Sequence, residues 1–138
     1  MAVLDRRSGT SASTSTSRLA GIRDDLGFKA PCRVATTANI TLSGLQTIDG
    51  VTVAAGDRVL VRSQTDTTLN GIWNASTGNW TRATDADSNS DLVHGTQVGV
   101  TNGTTLARSA WMLLFTDASL ALGTTSLYFA LIAASPTT

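Results

Sequence analysis

The sequence is poor in the residues that build helix surfaces, disulfide frameworks and metal sites. It contains no glutamate, one lysine, one histidine and one cysteine. Glutamate and lysine commonly fill exposed helix faces, whereas threonine, serine, valine and asparagine suit strands and turns. A single cysteine excludes an internal disulfide, so we interpret Cys32 as a small buried apolar side chain, with a disulfide between copies as the alternative. The composition favours an all-β fold.

An excess of one charge and long apolar runs are also missing. Basic and acidic residues number 10 each, and such a balanced chain offers no basic surface for nucleic acid. The N-terminus has no continuous apolar segment of the secretory type. The longest apolar runs, 110–115 and 127–134, are far shorter than the roughly 20 residues that span a bilayer. We therefore expect a soluble protein with neither a nucleic-acid nor a membrane partner.

The first thirty residues differ in character from the rest of the chain. Residues 1–17 are rich in serine and threonine and cannot bury enough apolar surface to fold alone. The next segment, 18–28, predicts a short helix with an apolar stripe, which either docks in a groove of a partner or packs on its own domain. We divide the chain into an extended arm, 1–30, and a β-domain, 31–138. The candidate partner-anchoring residues are Arg6, Arg7, Leu19, Ile22 and Leu26.

The folded part is organised around the stretch 33–61. Apolar and small polar residues alternate there, which predicts strands with one face toward a core. Asp49-Gly50 between two such runs indicates a β-hairpin. With about a hundred residues available, we predict one small antiparallel β-sandwich or barrel built from hairpins.

Two further features bear on the core and on binding. Trp73 and Trp80 flank a glycine-containing loop, so we predict a hairpin in which both rings are core or near-core residues that meet across the ladder. The alternative is a glycan-stacking platform made by the same rings. The last run, 127–134, is apolar on both faces, which predicts a strand in the middle of the sandwich or in a subunit interface.

The sequence contains no recognisable catalytic motif. His94 is the only histidine, and no G-x-S-x-G nucleophile motif is present. We interpret His94 as a surface or turn residue. We expect no enzymatic activity, no cofactor and no metal site.

Five motifs in a fixed order carry a family resemblance that covers about residues 31–133. The chain closely resembles a β-rich module of tailed-bacteriophage tail-fibre, tail-spike and appendage proteins. The motifs are RVATTANI (33–40), LSGLQTIDGV (42–51), AGDRVLV (55–61), NGIW (70–73) and WTRATDAD (80–87).

The resemblance implies a structural protein of the virion, present in many copies and without enzymatic activity. We expect a tail or neck appendage or a fibre adaptor, anchored by its N-terminal arm to other virion proteins and in contact with copies of itself. Two alternatives stay open. One is a capsid decoration protein that clamps neighbouring capsomers, and the other is a glycan-binding module.

Overall fold

The computed structural model describes residues 27–134, and this part of the chain is all-β, as the composition predicts. It contains ten strands and two 3-10 turns, Thr67–Leu69 and Thr84–Ala86. The strands are β1 (Phe28–Cys32), β2 (Val34–Ala35), β3 (Thr47–Ile48), β4 (Val51–Thr52), β5 (Arg58–Val61), β6 (Gly71–Asn74), β7 (Thr81–Arg82), β8 (Gln97–Val100), β9 (Ser109–Leu114) and β10 (Tyr128–Ala133).

The strands form two four-stranded sheets and one hairpin. We call the sheet with strand order β10-β9-β8-β1 sheet I and the sheet with order β2-β5-β6-β7 sheet II. The strands β3 and β4 pair only with each other. Within residues 27–134, no helix is long and apolar enough to cross a membrane.

Each sheet contains one parallel pair among its otherwise antiparallel strands. The strand β1 pairs parallel with β8, and β2 pairs parallel with β5. Only Arg33 separates β1 from β2, so a nearly continuous extended segment leaves one sheet and enters the other. Alternation in a sequence describes the faces of a strand but not the direction of its partner, so the sequence does not indicate these two parallel pairs.

The start of the folded part also differs from the prediction. The strand β1 begins at Phe28, so residues 28–30, assigned to the arm, pair in sheet I. Pro31 lies in this strand, where the register shifts between Lys29 and Cys32, at the edge of the sheet where proline is tolerated. The predicted helix over 18–28 lies outside the described residues except for its last two positions.

The two sheets pack face to face and enclose the first hydrophobic cluster. Trp111 and Leu113 of sheet I meet Leu60 and Ile72 of sheet II in this cluster, and all four are buried. Aligned sheets that bury alternate residues in this way form a β-sandwich.

The opposite face of sheet II covers a second cluster. Val59 and Val61 of β5 point into it, together with Ile48 of the β3-β4 hairpin, Val53 and Trp80. Sheet II is therefore the middle layer of three, with sheet I on one face and the β3-β4 hairpin with its flanking loops on the other.

The Asp49-Gly50 hairpin predicted from the sequence is confirmed. Both residues have positive φ, +48° and +81°, as a two-residue type I′ turn requires. A Cβ atom on Gly50 would collide with the Thr104 side chain, and one on Gly103 would collide with the Asp49 carboxylate. The hairpin turn is thus fitted closely against the loop between β8 and β9.

Cys32 is fully buried in the first cluster, as predicted, and its surroundings hold it protonated. Burial raises the pKa of the Cys32 thiol from 9.0 to about 12, against the opposing effect of the nearby Arg58 charge. The unfolded chain loses this proton near pH 9 and the folded chain keeps it to about pH 12. The thiol therefore stabilises the fold below pH 9, and that contribution is lost as pH rises to about 12.

We expect the free energy of unfolding, measured by denaturant titration, to fall between pH 8 and pH 10.5 by about 2 kcal/mol more in the wild type than in Cys32→Ala. The variant loses packing at all pH values but has no thiol to titrate. Equal pH dependence in the two proteins would contradict the assignment of this titration to Cys32.

Candidate functional site

The two tryptophans proposed for glycan stacking are placed mainly in the protein interior. Trp80 is only 4% exposed, and its indole N–H donates to the carbonyl of Gly44 at 2.9 Å. Trp73 is half-buried, and its N–H donates to the carbonyl of Leu69 at 2.9 Å. Trp73 and Trp80 belong to the second cluster, so the core interpretation is confirmed. Directly across the ladder, however, Trp73 faces Arg82 rather than Trp80.

Arg82 covers the ring of Trp73 and binds the chain that precedes it. Its guanidinium carbon lies 4.7 Å from the ring centre, and its two terminal nitrogens donate to the carbonyls of Asn70 and Thr68 at 3.0 and 2.9 Å. Gly71 has φ +147°, and a Cβ there would collide with the same guanidinium. The NGIW and WTRATDAD motifs therefore hold each other in place.

Asn70 extends this network toward the last strand. It is buried, and its amide donates to the carbonyl of Leu127 at 2.9 Å while its side-chain oxygen accepts from the backbone N–H of Gln64 at 3.0 Å. Buried backbone groups need such partners, because an unpaired one costs about 1–3 kcal/mol. The side chain of Asn70 thus has a structural role.

Asp49 connects the hairpin to the loop between β8 and β9. Its carboxylate accepts from the Thr105 hydroxyl at 2.7 Å, from the Thr105 N–H at 3.1 Å and from the Leu106 N–H at 2.9 Å. Its carbonyl accepts from the Thr104 N–H at 2.8 Å. Burial alone would raise the pKa of the Asp49 carboxyl, but these hydrogen bonds outweigh that effect and hold the pKa below its ordinary value of 3.8.

The AGDRVLV motif supplies two ion pairs near the point where the chain changes sheets. Asp57 accepts from Arg33, and Arg58 donates to both oxygens of Asp85 at 2.9 and 3.2 Å. Arg58 also donates to the carbonyl of Ala30 in β1 at 2.9 Å. These contacts fix β1 against the start of β5.

A groove of about 420 Å³ lies beside His94, which the sequence predicts to be a surface or turn residue. The His94 and Phe115 rings are in edge-to-face contact, with centroids 5.6 Å apart. The side-chain oxygen of Asn89 in this groove already accepts from the Leu122 N–H at 2.8 Å. Among residues 27–134, no three His, Cys, Asp or Glu side chains are grouped to hold a metal ion. The lining residues are Asn89, Leu92, Val93, His94, Phe115, Asp117, Ala118, Ser119 and Leu120.

The last strand presents three large apolar side chains at the protein surface. The strand β10 lies at the edge of sheet I, with Tyr128, Leu131 and Ile132 exposed by 49, 51 and 44%. The prediction that the run 127–134 lies in the middle of the sandwich is wrong. The predicted alternative, an interface between subunits, is compatible with an edge.

The anchoring candidates Arg6, Arg7, Leu19, Ile22 and Leu26 lie outside the described residues. Comparison of the chain with protein-family models, with curated proteins and with solved structures finds no match. The contacts described above show that residues of the five motifs set turns, cap buried backbone groups and fill the clusters, so the motifs specify the fold. The exposed surface of β10 is the candidate functional site.

Removing the Asp49 carboxylate should destabilise the fold. We expect Asp49→Ala to lower the free energy of unfolding at pH 7 by about 1–2 kcal/mol. The loss is smaller than for a fully buried carboxylate, because water screens this partly exposed group. Asp49→Asn keeps one acceptor and tolerates positive φ, so its loss should be smaller.

Comparing the wild type with Asp49→Asn also tests the contribution of the negative charge of Asp49. Because the folded pKa of Asp49 lies below 3.8, the carboxylate stabilises the fold above that pH and its contribution is lost as pH falls further. The difference between wild type and Asp49→Asn, measured by denaturant titration, should therefore shrink below pH 3.8. A difference that stays constant from pH 7 to pH 3 would contradict this role.

Proposed function

We propose that this chain is a non-enzymatic structural protein of a bacteriophage particle, which forms part of a tail or neck appendage or joins a fibre to it. The observation that carries the structural role is the exposed, uncharged β10 edge, because an apolar strand edge of this length invites pairing with another chain. The assignment to a virus particle rests on the ordered motifs, which resemble those of phage appendage modules.

The proposed mechanism is assembly through extended contacts. Residues 1–26 would anchor the protein to another virion component, while the β-domain provides a rigid body that copies and neighbours contact. A segment that orders on binding covers a large surface at an entropic cost, and symmetry repeats each contact many times. Localisation in the virion, after assembly in the host cytoplasm, follows from this proposal.

The alternative within the same class is a capsid decoration protein. Copy number and position distinguish the two, so the test is a cryo-electron microscopy reconstruction of particles of the phage that encodes the chain. We expect density for the β-domain at the tail or neck. Density distributed over the capsid lattice would support the decoration protein, and absence of the chain from purified particles would contradict both.

Anchoring is tested by truncation in the same particles. We expect deletion of residues 1–26 to abolish incorporation while the thermal unfolding midpoint of the purified protein changes little, because β1 begins only at Phe28. A matched control replaces 1–26 with a glycine-serine segment of equal length and should fail in the same way. Normal incorporation of either variant would contradict the anchoring role.

The glycan-binding alternative makes a separate prediction about the tryptophans. Trp80 and Trp111 are each 4% exposed and Trp73 lies beneath Arg82, so acrylamide should quench native fluorescence several-fold less than it quenches the unfolded chain. Native quenching close to the unfolded value, or a fluorescence change on adding oligosaccharides, would favour a glycan platform over this proposal.

A further inference from the structure

The outer edge of β10 carries few of the features that normally prevent strands from pairing with other chains, and its one irregularity is a register shift at Ile132, near the end of the strand. Its six residues, YFALIA, include no charged residue and no proline. Within the described chain its ladder partner is β9 on one side only. Native edge strands are usually kept short, charged, bulged or covered.

The other edges of sheets I and II do have such protection. In β1, Pro31 lacks a backbone donor, the register shifts beside it, and the carbonyl of Ala30 is taken by Arg58. The edge strands of sheet II, β2 and β7, are two residues long. Sheet I therefore has one blocked edge and one open edge, and on the open edge residues 128–131 keep a regular register, which allows several ladder hydrogen bonds.

Charge indicates which partner the open edge accepts. A two-fold axis places the same strand against itself, so any charge on it would face a like charge or need a complementary one nearby. The four strands of sheet I contain a single charged residue, Lys29, which is buried in β1 at the far edge. An identical edge consequently meets β10 without electrostatic repulsion.

We propose that β10 pairs antiparallel with β10 of a second copy, so that two copies of sheet I become one continuous eight-stranded sheet. The backbone groups on the open side of β10 gain ladder partners, and the exposed Tyr128, Leu131 and Ile132 side chains pack against their counterparts. Head-to-tail pairing of β10 with β1 would build an open filament, and the blocked β1 edge opposes it.

The outer face of sheet I extends the same apolar surface. Ladder partners point to one face of a sheet, so Tyr128 and Ala130 of β10 share a face with Leu114 and Met112 of β9. These two β9 residues are half-buried in the single chain. Joining the two sheets makes this uncharged face continuous across the axis.

This inference rests on the assembly role in the proposed function but not on the assignment to a virus particle. An experiment can therefore refute the dimer without refuting the virion assignment, and the reverse. The test is sedimentation of the purified 138-residue chain over a wide concentration range. We expect a reversible monomer-dimer equilibrium. A double variant, Leu131→Lys with Ile132→Lys, should raise the dissociation constant by about 100-fold or more, since lysine is a natural blocker of strand edges.

The matched control is Leu45→Lys. Leu45 is a large apolar residue of similar exposure, 43%, and lies outside sheet I between β2 and β3. We expect it to leave the dimer unchanged. Far-ultraviolet circular dichroism and thermal unfolding establish that all variants are folded.

Hydrogen exchange of the wild type locates the contact independently of any variant. Amides in the peptide 127–134 should become protected as concentration rises through the dimer transition. The proposal would be overturned if the chain stayed monomeric or formed a trimer. A dimer in which the peptide 127–134 is unprotected, or one that the lysine variant does not weaken, would overturn it as well. A monomer with concentration-independent protection of 127–134 would also overturn it, because a segment of the same chain would then occupy the edge.

Discussion

The fold depends on burying both faces of one short strand. The strand β5 lies inside sheet II, and its successive residues Val59, Leu60 and Val61 are all fully buried, with Leu60 in one cluster and the two valines in the other. Sheet II must therefore be covered on both sides, by sheet I and by the β3-β4 hairpin region. A slip of one residue would exchange the side chains between clusters, so the two cores together fix the register.

Local signals in the sequence were sufficient for the turns and for much of the core. The Asp49-Gly50 turn, the buried tryptophans and the buried Cys32 all follow from residue type and spacing. The parallel pairs and the middle-layer position of sheet II could not be predicted in this way. They depend on contacts between distant segments, such as Lys29 beside Val98, and alternation within a strand contains no information about such partners.

In the candidate site, too, the sequence predicts local features but not those that depend on contacts between distant segments. The apolar character of β10 on both faces was evident from the sequence, but its position depends on the strand order of sheet I. Two aromatic residues around one loop predict that Trp73 faces Trp80, whereas the register places Arg82 opposite Trp73. The groove beside His94 had no sequence signal, because loops distant in the chain form it.

The passage of the chain from sheet I to sheet II at Arg33 has a mechanical consequence. Tension applied at Phe28 acts along β1, which runs parallel to β8, and the chain bends at Arg33 before β2, which runs parallel to β5. A pull along β1 loads its hydrogen bonds with β8 together in shear, rather than opening them one at a time. The domain is thereby suited to resist a tether attached at that end.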